Sequence, residues 1–256
     1  MIIPGILEKD WNSIRDKIET VYNRSLSSVD LSSQNIIYRE KIKKIQIDFC
    51  DGLYVKSQTW SPLDVLYITE ENKSNNNFRE INNILEKGLP YWESFDYEAD
   101  LMVDGLRVDS NGDSNISKYI EAVAMLGFSH VVLHADNVSV LVKSILKAKE
   151  YMLSVAISSR DINVIKDILL NDINIVNHID CIQIMGIENI GFQCQPLSDD
   201  IVEKIKSIRE ILNNLIINED TKIRVQIDGA MSNDTIQICK DARADDFVMG
   251  SAYFNK

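Results

Sequence analysis

The residues best suited to chemistry in this chain are aspartates at the ends of short apolar runs. Lys44-Ile45-Gln46-Ile47-Asp48-Phe49-Cys50 alternates Ile45, Ile47 and Phe49 with Gln46 and Asp48, the period-two pattern of a short buried strand, and the run breaks at the turn dipeptide Asp51-Gly52. A carboxylate at a strand end, just before a sharp turn, is placed to face a pocket and badly placed to be a solvated charge. Further polar residues fall at comparable positions: Asp100, His134, Asp136, Glu188 and Asp228. Carboxylates that face one pocket from two sides can take a proton from one face of a substrate and return one to the other. Each aspartate also has a plain structural reading as the cap of the following helix, which Asp228 before Gly229 could serve, and for one aspartate alone that reading is favoured.

The elements that must position these residues alternate along the whole chain. Strand-like runs at 1–7, 44–50, 97–103, 129–134, 153–157, 181–185, 222–228 and 246–250 are separated by segments with helical spacing of apolar residues. Asp10, Ser198 and Ser232 read as helix N-caps, and Gly88 and Gly127 as helix stops. Strict alternation predicts parallel strands with helical crossovers, and eight strands predict the α/β class with a closed (β/α)8 TIM barrel. The chain's 256 residues suit one such domain, 1–256, with a loop insertion around 56–77 whose run Glu70-Glu71-Asn72-Lys73-Ser74-Asn75-Asn76-Asn77 reads as a solvated tip. The chain reaches Lys256 soon after the last strand, so the usual final helix is expected to be short or missing, with a neighbouring subunit or the insertion covering the gap, or simply a short natural end. In such a barrel the C-terminal strand ends build the active site, which brings Asp48, Asp100 and Asp228 to one mouth.

Composition narrows the partners. A formal net charge of −12 argues against nucleic acid and against an anionic membrane surface, since both favour basic patches. Cys50, Cys181, Cys194 and Cys239 show no CxxC spacing, which speaks against structural zinc and a disulfide framework and fits a reducing cytoplasm. No apolar run approaches the ~20 residues of a membrane span, and the N-terminus starts at once with strand-like residues, leaving no room for a targeting peptide.

Asp48-Phe49-Cys50-Asp51-Gly52-Leu53-Tyr54-Val55 after an apolar strand resembles the ribulose-phosphate 3-epimerase family. Ile3-Pro4-Gly5-Ile6-Leu7, Asp100-Leu101-Met102-Val103, Ile184-Met185, Ile227-Asp228-Gly229 and Gly250-Ser251-Ala252-Tyr253-Phe254 match in the same order and extend the resemblance over nearly the whole chain. The resemblance implies a ribulose-phosphate-binding-type barrel and makes Asp48 and Asp228 the catalytic acid–base pair, which puts the functional reading of that pair ahead of capping. It implies a divalent metal held at Gln46, Asp48, Asp100 and Asp228, where Gln46 and Asp100 stand in place of the family's two histidines. That all-oxygen set suits manganese or magnesium better than zinc, and losing both imidazoles equally suits no metal at all. His130 and His178 read as strand-entry surface residues, and His134 as a hydrogen-bonded core histidine. The resemblance further implies that Met102 and Met185 line the site, a third methionine being replaced by Cys50, and that Gly229, Gly250 and Ser251 cradle a phosphate through backbone N–H groups. The cradle departs from the family pattern: Gly5 stands for a serine, Ala230 for a glycine, and Gln193-Cys194 for a glycine pair, so it is expected to bind phosphate weakly or accept a different group.

Three functions compete. The first is an isomerase, a sugar-phosphate 3-epimerase taking D-ribulose 5-phosphate to D-xylulose 5-phosphate through an enediolate. The second is a barrel that has lost catalysis and serves as a phosphosugar-binding or regulatory protein, and the third an epimerase on a different sugar. Phosphosugar decarboxylases are disfavoured, because the lysine of their Asp-x-Lys-x-x-Asp pattern is replaced by Cys50. The expected partner is a small sugar phosphate, with a homo-oligomer left open.

Overall fold

Side chains on a strand alternate between its two faces, so a strand covered on both sides must find a partner for each set. In β2 (Lys44–Cys50) the set Ile45, Ile47 and Phe49 is fully buried. It faces outward, where the Phe49 ring lies 6.2 Å from Trp60, 6.5 Å from Tyr119 and 5.7 Å from Phe128. The other set, Lys44, Gln46 and Asp48, points into the barrel, where Lys44 meets Glu98 and Gln46 meets Asp48 and Asp228.

The computed structural model describes residues 1–26, 41–69, 71–72, 78–108, 110, 112–215 and 222–255. Around β2 the chain adds β1 (Ile2–Ile6), β3 (Asp96–Met102), β4 (His130–His134), β5 (Ser154–Ser158), β6 (Cys181–Met185), β7 (Arg224–Asp228) and β8 (Asp246–Met249). All pair in parallel and in sequence order, and β1 closes on β8, giving the (β/α)8 barrel expected from the alternation. The main hydrophobic core is the layer between this sheet and the surrounding helices. The register sets Asp48 beside Asp100 and Met185 beside Asp228 near the C-terminal mouth.

The helices are α1 (Trp11–Ser25), α2 (Arg79–Lys87), α3 (Asn115–Met125), α4 (Val138–Glu150), α5 (Ile162–Asn171), the one-turn α6 (Ile173–Val176), α7 (Ile201–Asn214), α8 (Ile236–Asp241) and the one-turn α9 (Ser251–Phe254). Asp10 caps α1 as expected, accepting from the Ser13 N–H at 2.9 Å. Two caps differ from the sequence reading. Ser198 stands ahead of α7 and donates its hydroxyl to Asp200, the actual N-cap, at 2.6 Å. Ser232 opens a turn locked by its N–H to Thr235 Oγ1 at 2.9 Å, and α8 starts only after Thr235. Ser and Thr hydroxyls bond nearby backbone in turns as readily as at helix ends, so the residue type alone does not separate the two.

The described part of the 56–77 segment packs on the barrel. Trp60 donates its N–H to the Glu8 carbonyl at 2.9 Å and lies 4.9 Å from the Trp11 ring, and a 3₁₀ turn at Leu63–Tyr67 buries Val65. Most of the expected solvated tip, residues 70 and 73–77, lies outside the described residues, as does most of the polar break after Ser25. The final helix is short: α9 makes one turn, with Tyr253 buried, Arg24 of α1 5.1 Å over the Tyr253 ring and Lys17 4.7 Å over Phe254.

Candidate active site

Asp51, which ends the β2 motif, is a loop anchor. Its Oδ1 accepts from the N–H groups of Leu53 at 2.9 Å and Tyr54 at 3.1 Å, while Oδ2 accepts from Asp104 N–H and Asn115 Nδ2, both at 2.8 Å. One carboxylate thus ties the loop after β2 to the loop after β3 and to the start of α3. On the rim, Asp136 after β4 pairs with Arg160 and accepts from the Tyr54 hydroxyl at 3.1 Å, so it is committed to holding loops together. Glu188 falls in the loop after β6.

Between these loops opens a cavity of about 330 Å³. Asp48, Asp228, Met102, Met185, Gly229, Gly250 and Ser251 all line it, together with Gly5 and the loop from Gly191 to Leu197. Met102 and Met185 pack with Cys50, Val55 and Ile190 in a small apolar cluster separate from the main core. The loop after β6 is braced by Gln195, whose Nε2 donates to the carbonyls of Asn189 at 2.6 Å and Phe192 at 2.8 Å. Gln193 lies beside Gly250: a Cβ on that glycine would come 3.1 Å from Gln193 Nε2. Gly186 is still tighter, with a Cβ placed 2.5 Å from the Gly229 carbonyl oxygen. Among the described residues, no lysine or arginine lines this cavity.

At its floor Asp48, Asp100 and Asp228 bring carboxylate oxygens within 4.8 Å of one another, a cluster that could hold a metal ion. Asp100 is fully buried, whereas Asp48 and Asp228 each keep an edge in the cavity. With these oxygens so close, Asp48 and Asp228 can both address one reacting centre in the cavity. Gln46 joins the cluster through nitrogen: its Nε2 donates to Asp228 Oδ2 at 2.9 Å, Asp48 Oδ1 at 3.0 Å and Asp100 Oδ2 at 3.3 Å. Gln183 on β6 adds a second amide, with Nε2 at 2.8 Å from Asp100 Oδ2 and 3.4 Å from Asp228 Oδ2. His134 is buried with Nε2 2.7 Å from Asp100 Oδ1, an ion-pair distance off the direction of a hydrogen bond.

Carboxylates crowded into one buried site resist ionising together. Burial, reinforced by the neighbouring Asp228 and Asp100, pushes Asp48 well above the usual carboxylate range. Burial and the adjacent Asp100 raise Asp228 to about 7, against the opposing pull of the Gln46 hydrogen bond. Protons are therefore held at the cavity floor where most aspartates would have lost theirs, which is the condition for acid–base work near neutral pH.

The sequence reading did not single out Gln183, Gln226 or Glu98. The first two carried a signal: Gln46-Ile47-Asp48, Gln183-Ile184-Met185 and Gln226-Ile227-Asp228 repeat one pattern on three strands, setting a glutamine one step below each mouth residue.

The sequence profile of the ribulose-phosphate 3 epimerase family matches residues 112–254, more than half of the chain. The chain belongs to this family. Asp228, Met185 and the glycine loops lie inside the matched stretch, and the fold brings Gln46, Asp48 and Asp100 to them from outside it. Among curated family relatives, the ribulose-phosphate 3-epimerase of Mycobacterium bovis is 27% identical over 167 residues, covering 65% of this chain and 67% of that protein. The Mycobacterium leprae protein of the same name is 28% identical over 168 residues, covering 65% and 69%. A solved structure described as native KDPGal superposes with a TM-score of 0.50 at 12% identity, covering 98% of this chain and 82% of that one, and supports the barrel fold alone.

Proposed function

We propose that this chain is an isomerase, a sugar-phosphate 3-epimerase that interconverts D-ribulose 5-phosphate and D-xylulose 5-phosphate. The observation that carries the reading is the convergence of Asp48 and Asp228, both held protonatable, on the floor of one cavity in a chain of this family. In this reading the ionised aspartate takes the C3 proton beside the ketose carbonyl, leaving an enediolate. The other aspartate, protonated, gives its proton to C3 from the opposite side, so the pair exchanges charge states and C3 is inverted. Met102 and Met185 flank the carbon chain. The anionic end lies in the loops after β6, β7 and β8, at Gly229, Gly250 and Ser251; with no cationic side chain among the described lining residues, backbone N–H groups hold it. Gln193 narrows that end beside Gly250 and favours a compact group there.

A divalent cation belongs to the expectations for this fold, and the carboxylates Asp48, Asp100 and Asp228 match a hard ion, manganese or magnesium before zinc. Bound there, such an ion would stabilise negative charge on the substrate oxygens. Gln46 and Gln183, however, turn N–H groups rather than oxygens toward the carboxylates, and the donor set as it stands does not suit an ion. No step above uses one.

The test is exchange of the C3 hydrogen with deuterated water. Asp48→Asn should block label entry into one epimer and Asp228→Asn into the other, because each acid serves one face. Absence of exchange in the parent chain with several ketose phosphates would favour the second reading, a phosphosugar-binding barrel without catalysis.

A further inference from the structure

Below the aspartates the barrel interior holds a chain of hydrogen bonds whose direction is set from the bottom. Lys44 Nζ lies 2.6 Å from Glu98 Oε2, a buried ion pair, and the Glu98 carboxylate can only accept. Gln226 therefore points its nitrogen at Glu98, donating to Oε1 at 2.9 Å. The same nitrogen lies 2.7 Å from Gln183 Oε1 and 3.2 Å from Gln46 Oε1. Its two hydrogens serve Glu98 and Gln183, with Gln46 Oε1 sharing one at the longer distance; with both oxygens facing Gln226, the two glutamines raise their nitrogens to Asp48, Asp100 and Asp228.

We propose that the Lys44–Glu98 pair, acting through Gln226, locks Gln46 and Gln183 as N–H donors, so that Gln46 Nε2 stands in for a cation at the three carboxylates and the site works without a metal. Lys44, Glu98 and Gln226 are positioning residues that act at a distance on the cavity floor. Gln46 Nε2 sits within hydrogen-bond reach of an oxygen from each aspartate, at the point where all three converge. To ligate an ion through oxygen, Gln46 would have to turn over and face its nitrogen against the Gln226 nitrogen. Turning Gln226 as well would set its oxygen against the Glu98 carboxylate. Each reversal brings like groups together in a dry interior, where unpaired polar groups are penalised most. Gln226 Oε1 is already buried without a hydrogen-bond partner among the described residues, so its amide is oriented by the demand of Glu98 and not by its own oxygen.

The role of the locked amides in catalysis rests on the epimerase reading; their exclusion of metal does not, and the experiment separates the two. The full chain, stripped with a chelator, is titrated with Mn²⁺ in the absence of substrate while free Mn²⁺ is followed by electron paramagnetic resonance. The parent is expected to take up no stoichiometric Mn²⁺, and its C3 exchange to be unchanged by chelator. The paired variant Lys44→Met with Glu98→Gln replaces the lock by neutral groups, and a glutamine at 98 can donate to a reversed Gln226. It should bind Mn²⁺ at least tenfold more tightly than the parent, a gain that general damage to the barrel would not produce. Stoichiometric Mn²⁺ on the parent, loss of its exchange on chelation, or a folded paired variant with unchanged Mn²⁺ affinity would overturn the proposal. If the paired variant does not fold, the parent titration decides alone. A failed epimerase reading would show differently, as no C3 exchange under any condition whatever the Mn²⁺ result.

Discussion

Removing the Asp228 carboxylate should cost activity and add stability, and the two effects have one origin. Asp228 titrates at about 7 in the fold against an ordinary 3.8. The folded protein therefore holds this proton more tightly than the unfolded chain. Below the unfolded value both states are protonated and nothing is lost. As pH rises from about 4 to about 7, the unfolded chain ionises first and folded stability falls, by ~4 kcal/mol in total from roughly 3 pH units at about 1.4 kcal/mol each. Asn at 228 stays neutral and can still accept from Gln46, so it escapes this penalty. The value of about 7 already includes the pull of the Gln46 hydrogen bond, so the gain above neutral pH is the whole ~4 kcal/mol. In a chain of this size that is a rise in Tm of roughly 8–16 °C. The assay is thermal unfolding of parent and Asp228→Asn in chelator-containing buffers between about pH 5 and pH 8, with C3 exchange measured on the same samples. The two melting curves should converge at the acid end and separate at the basic end, while exchange into one epimer falls by about 10²–10⁴, the usual worth of a general acid or base. A parent Tm that is flat over this window, or an Asn variant less stable than the parent at the basic end, would refute the claim that the carboxylates are crowded.

Two further substitutions probe the scaffold. Phe49→Ala empties a fully buried site among Trp60, Tyr119 and Phe128 and should destabilise by roughly 3–5 kcal/mol in denaturant unfolding, the usual cost of a buried Phe→Ala. Gly186→Ala sets a Cβ 2.5 Å from the Gly229 carbonyl oxygen; the backbone must shift, so unfolding should show a loss of roughly 1–3 kcal/mol and C3 exchange should fall with it.

Much of this protein was legible from its sequence by itself. The β2 run, the alternation of strands and helices and the helix stops at Gly88 and Gly127 specified a closed eight-stranded barrel, because period two and period 3.6 are local consequences of backbone geometry. The mouth aspartates were legible for the same reason, since a strand end in a parallel barrel has one place to go. Capping was less legible: Ser198 and Ser232 carry the right side chain, but Asp200 and Thr235 hold the cap positions, a choice made by turns that packing selects. What only the tertiary structure decided is the hydrogen-bond direction inside the barrel. Gln46 looks like an oxygen ligand in sequence, because an amide offers both an acceptor and a donor and its own neighbours do not choose between them. The choice falls to Gln226 and Glu98, which lie 180 and 52 residues away in the chain and meet Gln46 only when the barrel closes.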